Sequence, residues 1–248
     1  RSTGLVSFAV AWAILATGRD NYACGRPPDD PLMALFGKMT TEDCEQYGGC
    51  RFKKDRSCSY YQMLDRAMIA PQVIMNYAYA LRVLQASHID GVRNPFRRKL
   101  LIADEGHLLE DSVVGATAIS VWRGPCDAAG LAPWPKSDDP WVWVAWANDV
   151  FEDAKKWRND CHERVANAQE DGDHPFSYVT SLRVALSRRR KADNLLTTIT
   201  SLRRLNPEDW AVSPGLYETR VRPLWAWTVA QDRLFRHFER ALVMSATL

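Results

Sequence analysis

An α/β fold built on a parallel sheet is predicted for this chain by three observations. Short, mostly apolar runs, "QVIMN" at 72–76, "LLIA" at 100–103 and "ALVM" at 241–244, have the length of strands rather than helices. A helical stretch separates the first two, and strand, helix, strand is the order that pairs strands in parallel. Two of the runs end in polar residues, Asp104 and Glu105 after one, Ser245 and Thr247 after the other. The carboxyl ends of strands are where open α/β sheets hold their ligands.

The 248 residues suffice for one large domain or two modest ones, and 46% apolar with 25% charged residues suits a globular protein with a real core. Thirty-two Lys plus Arg against thirty Asp plus Glu leave a charge of only +2, so any case for a polyanionic partner has to come from local clustering. The first apolar stretch, "GLVSFAVAWAILA" from Gly4 to Ala16, is shorter than the ~20 residues that span a bilayer. It reads as a helix or strand of a buried core, with a signal peptide as the alternative because Arg1 precedes it.

Next comes a polar stretch holding Cys24, Cys44, Cys50 and Cys58, with gaps of nineteen, five and seven residues. Clustering of this kind favours a metal over scattered disulfides, yet none of the gaps is the two to four residues that zinc ribbons prefer. Met63, Met68 and the alanines around them suit a short helix that Pro71 stops, "QVIMN" follows as a strand, and 76–84 reads as helix. The run at 100–103 then ends in "DEGH"; Glu110 and Asp111 suit the cap of the following helix, a structural role that Asp104 and Glu105 could share.

Beyond Val113 the pattern turns helical, and an all-helical insertion is predicted over 113–215. "RGPCDAAGLAPWPKSDDP", Arg123 to Pro140, reads as a loop with Cys126 as a loop thiol, ending in a helix start with Asp139 as cap and Pro140 in the first turn. Trp143, Ala147, Val150, Ala154, Trp157, Cys161 and Val165 recur at steps of three and four, one face of a single helix running to about Gln169, with Cys161 a small core residue. Helical pattern resumes over 178–205 with a break near Lys191. Trp141, Trp143, Trp146 and Trp157 are expected to pack this insertion rather than to bind a ligand.

Four motifs in one order carry a resemblance. "IADEGH" resembles the DEAH box of superfamily-two helicases, and "MSATL" resembles their Ser-Ala-Thr motif. "GRDNYAC" followed by three more cysteines resembles the iron–sulfur branch, the DinG/XPD-type DNA helicases, and "MNYAYAL" resembles the Asn-Tyr stretch those proteins carry before the DEAH box. The resemblance implies a partial RecA-like, parallel-sheet motor domain with a cysteine-rich Fe–S insertion and the all-helical insertion as its arch. The divisions are 1–20 and 63–112 for the motor domain, 21–62 for the Fe–S domain, 113–215 for the arch and 216–248 for the return of the motor domain.

For chemistry the resemblance implies that Asp104 holds Mg²⁺, that Glu105 polarises the attacking water, and that His107 links the nucleotide site to Ser245 and Thr247. Gly106 stands where the family has Ala, and a glycine there could loosen the loop. A 4Fe-4S cluster on Cys24, Cys44, Cys50 and Cys58 is the implied cofactor, with ATP and Mg²⁺ in the full-length protein. The required phosphate loop is missing: the only Gly-Lys pair, Gly37-Lys38, has Met39 after it and Leu32 where a first Gly belongs. With no second-domain arginines either, the chain is expected to be a fragment that does not hydrolyse ATP by itself.

Charge clusters in two places. "RFKKDR" brings Arg51, Lys53, Lys54 and Arg56 into the cysteine segment beside Tyr60, and "SRRRK" brings Arg188, Arg189 and Arg190 into the helical insertion. Cations for phosphates and aromatics for bases make a single-strand channel, and each run reads equally as a solvated helix face. Arg19, kept from the family's Lys-Gly-Arg, is placed by the resemblance near cluster and DNA. The expected partners are single-stranded DNA and forked or 5′-tailed duplex, met by a monomeric, cytoplasmic protein moving 5′ to 3′ in repair or replication. The alternative is a non-catalytic Fe–S or zinc-containing DNA-binding module.

Overall fold

The computed structural model describes residues 13–18, 21–26, 33, 51–86, 98–131, 133–170 and 175–245. In chain order its elements are β1 (Ala13–Leu15), α1 (Arg51–Lys54), α2 (Ser59–Ile69), β2 (Gln72–Ile74), α3 (Tyr77–Ala86), β3 (Arg98–Ala103), α4 (Leu109–Thr117), β4 (Ile119–Trp122), α5 (Arg123–Ala128), α6 (Pro140–Asp149), α7 (Phe151–Glu170), α8 (Pro175–Arg203), β5 (Trp210–Ser213), β6 (Glu218–Pro223), α9 (Ala226–Arg233) and β7 (Phe238–Val243). Two compact units result, one of residues 1–103 and 233–243, the other of 104–232 and 244–248. Among the described residues no helix is long and apolar enough to cross a membrane.

In the first unit the strands pair in parallel, β1 with β2 and β3 with β7, the latter in a register that sets Ala103 beside Val243. They form two separate pairs rather than one sheet. Nor do their apolar compositions translate into burial: Leu100, Ile102, Leu242 and Val243 are all about half exposed. A two-stranded ribbon has two faces and two edges, and apolar composition cannot say which of them a neighbour covers.

Helix α2 ends as the sequence demands. Ala70 is extended, as a residue before proline must be, and Pro71 has no N–H to offer the carbonyl of Ala67. Arg98, at the start of β3, supplies what is missing: its Nη2 donates to the carbonyls of Ala67, Met68 and Ala70 at 2.9, 3.1 and 3.0 Å. The next helix, α3, begins on Asn76, whose side-chain oxygen accepts from the Tyr79 N–H at 2.8 Å.

The second unit is not all-helical. β4, β5 and β6 form an antiparallel sheet in the order β4-β6-β5, so strands lie at both ends of the span read as a helical arch. Each is four to six residues long, too short for its alternation to stand out beside the helical periodicity between them. The loop expected at Arg123 opens instead with α5, and Cys126 is buried there, its thiol pushed up to about 12 chiefly by that burial. The single helix expected from Pro140 is two, α6 and α7, parting at Val150, whereas α8 runs unbroken through Lys191.

The predicted apolar face survives that break. Trp143, Ala147, Val150, Ala154, Cys161 and Val165 are all buried, and Trp157 packs partly buried against the same core. Trp134, Trp143 and Trp146 meet edge to face with centroids 5.2 to 6.3 Å apart, and the Trp143 indole N–H donates to the Ser137 carbonyl at 2.7 Å. Trp141 alone of the four tryptophans named above points outward, because it falls off the stripe. Asp139 caps α6 through the Trp141 N–H as expected.

Candidate functional site

The strand β3 leads directly into Asp104, whose Oδ1 accepts the Glu105 N–H at 2.9 Å. This contact closes the turn on the Asp104 side chain. Glu105 itself sits at φ 52°, ψ 51°, a left-handed conformation that a residue with a Cβ adopts only at a cost of about 1–3 kcal/mol. Gly106 is therefore not the strained residue of the loop. Its N–H donates to the Met244 carbonyl at 2.7 Å, tying the loop after β3 to the residue after β7.

His107 lies on the short 3₁₀ turn Gly106–Leu108 that precedes α4. Its Nδ1 is 3.1 Å from the Ser245 Oγ and 3.3 Å from the Glu105 Oε2. Both partners reach the same ring nitrogen. A Ser–His–acid relay needs the serine on one nitrogen and the acid on the other, so this cluster is not an activated nucleophile. A proton on Nδ1 is donated toward Glu105 or Ser245, and a proton on Nε2 leaves Nδ1 to accept from the Ser245 hydroxyl. The imidazole thus stands as a two-way connector between a carboxylate and a hydroxyl that are 140 positions apart in the chain.

No family model matches the chain, and no curated protein matches it. One solved structure, described as an XPD helicase, superposes with a TM-score of 0.41 at 12% identity, over 94% of this chain and 44% of its own. The chain therefore spans less than half the length of that neighbour. A likeness at this level decides neither fold nor activity.

Asp104 and Glu105 are exposed carboxylates, hard oxygen donors suited to Mg²⁺. Thr247, assigned with Ser245 to the same motif, lies outside the described residues, as does the Gly37-Lys38 pair.

Of the four cysteines, Cys44 and Cys50 lie outside the described residues. Cys24 and Cys58 are free thiols, the second buried. Two contacts draw their segments together. The Tyr22 and Tyr60 rings meet at 5.7 Å, and a Cβ on Gly25 would sit 3.1 Å from the Phe52 ring, whose own carbonyl accepts the Cys58 N–H at 2.9 Å. These contacts join the segments that carry Cys24 and Cys58. Among the described residues no group of three metal-binding side chains is complete.

The residues expected to touch DNA divide. Lys54, Arg56, Arg188 and Arg190 are exposed. Tyr60 is not available for stacking: it is buried among Tyr22 and Tyr61, its hydroxyl 3.4 Å from that of Tyr79. The reason is the helix, which points Tyr60, Met63 and Ala67 inward together. Arg189 also turns away from solvent, its Nε 3.7 Å from the Asp193 Oδ2. Arg19 and the side chains of Arg51 and Lys53 lie outside the described residues. Sequence reading passes over Arg98; the signal is the proline at 71, which leaves a helix carbonyl in want of a donor.

Proposed function

We propose that this chain is part of the first motor domain, with its cluster-bearing and arch insertions, of an ATP-dependent DNA helicase of the iron–sulfur DinG/XPD type. The observation that carries the reading is the hydrogen bond between His107 and Ser245, which joins the loop after β3 to the loop after β7. Asp104 holds the metal side of the site, and Mg²⁺ when bound supplies charge neutralisation on the phosphates of ATP. Glu105 orients and polarises the attacking water, positioning being most of what phosphoryl transfer asks of a protein. Because its carboxylate also faces His107, a change of charge at Glu105 is felt at Ser245. That linkage lets hydrolysis alter the grip on single-stranded DNA.

In the full-length protein this motor moves 5′ to 3′ on single strands and opens forked or 5′-tailed duplex during repair or replication, as a cytoplasmic monomer. Cys24, Cys44, Cys50 and Cys58 hold a 4Fe-4S cluster that pins the loop-rich segment between them. The test is DNA-stimulated ATP hydrolysis by the full-length protein against its Glu105→Gln variant. A fall in kcat of about 10²-fold or more with ATP binding retained is the expected result. Equal turnover by both proteins would remove Glu105 from the chemistry and the motor reading with it.

A further inference from the structure

Helices α7 and α8 lie side by side, and a shallow groove of about 370 Å³ opens between them. Ala168, Val184 and Ala185 form an apolar floor, Ser181 lies at one side, and Arg164 and Arg188 reach in from opposite helices. Among the described residues no carboxylate lines it. Burial raises the pKa of the Cys161 thiol beneath the groove, and both guanidiniums act on it in the opposite direction.

Two like charges facing one groove repel, and the usual remedy is an acidic residue between them. Of the two acids that act on the same thiol, Asp160 is exposed and Asp193 is already committed. The Asp193 Oδ1 accepts from the Arg158 Nε at 2.8 Å and lies 2.9 Å from the His162 Nε2, while its Oδ2 faces Arg189. Neither Arg164 nor Arg188 forms an ion pair within the described residues, and both are exposed. An anion from outside would relieve the repulsion, and the apolar floor beside it has room for a flat ring.

We infer that this groove is a binding site for single-stranded DNA, with Arg164 and Arg188 clamping a phosphodiester and the Ala168–Val184–Ala185 floor receiving the adjoining base. Paired guanidiniums match phosphate oxygens, and apolar contact with a base face tolerates any sequence. The inference rests on the nucleic-acid reading above and names the surface that serves it. It moves the contact made by the helical insertion from the linear Arg188–Arg190 run to a pair drawn from two helices.

The experiment is fluorescence anisotropy of a labelled dT20 oligonucleotide with the whole chain, the Arg164→Gln/Arg188→Gln variant and Lys155→Gln, a control of equal charge type elsewhere on α7. Helical content by circular dichroism confirms that each is folded. The expected result is binding at least about tenfold weaker in the double variant, with the slope of log affinity against log salt flattened by ~0.7 for each phosphate no longer neutralised, and Lys155→Gln unchanged. Wild-type binding matched in affinity and salt slope by the double variant overturns the groove and leaves the nucleic-acid reading standing. No dT20 binding by the wild-type chain overturns both. Equal weakening in the double variant and in Lys155→Gln would mean diffuse charge attraction and also overturn the groove.

Discussion

Arg98 does for this chain what a C-terminal glycine does for many helices: it satisfies carbonyls that the helix cannot. The need is created by Pro71, because the carbonyl of Ala67 points to a residue with no N–H. Arg98→Met keeps the length of the side chain and removes its donors. It is expected to lower stability by about 2 kcal/mol, the scale of a hydrogen bond from a charged donor, read as a lower urea midpoint by far-UV circular dichroism. An unchanged midpoint would show that water serves these carbonyls equally well. Much of this is open to a reader of the sequence: the helix end at Pro71 is plain, and a cation is wanted near it. Which cation cannot be known from spacing, since Arg98 is almost thirty residues away and only the fold brings it there. The strain at Glu105 is hidden for a different reason. Gly106 stands beside it as the obvious residue for an unusual backbone, and the left-handed turn falls one position earlier.

Asp193 ties α8 to Arg158 and His162 of α7 on the polar side of the pair. Burial alone would raise the pKa of Asp193; hydrogen bonds from Arg158 and His162 outweigh it, and the pKa lies below the ordinary carboxylate value. A carboxylate depressed in the fold contributes stability that is complete above its unfolded pKa and is lost as pH falls through its folded pKa. Asp193→Asn should therefore destabilise the helix pair at pH 7 and leave little difference from wild type once the pH is below the folded value, a convergence measurable in thermal unfolding at stepped pH. A constant gap at all pH values would assign the effect to packing. The apolar stripe from Trp143 to Val165 can be read directly, because periodicity records which side faces a core even where the helix parts at Val150. The antiparallel sheet escapes such a reading because β4 and β5 have four residues each, and their partner β6 reaches them only through the fold.

For the chain as a whole, the proposed cluster is the most consequential claim, since it would lock the loop-rich segment between Cys24 and Cys58. Protein purified without oxygen should hold about four irons with matching acid-labile sulfide, depleted in Cys50→Ser. One zinc and no sulfide would replace the cluster with a zinc site, and would leave the His107–Ser245 linkage as the support for a motor. Fold class and the candidate site lie in different kinds of information. Residue type and local spacing alone specified the strand-length runs, the helix cap at Asp139, and the Asp104–Glu105–His107 group, because each depends on neighbours within one or two turns of chain. The tertiary structure decided which strands pair, that the apolar faces of β3 and β7 stay half exposed, that Tyr60 is buried, and that Arg189 turns to Asp193 while Arg164 and Arg188 share a groove. Those are contacts between distant segments, and a one-dimensional pattern of hydrophobicity and charge carries no term for them.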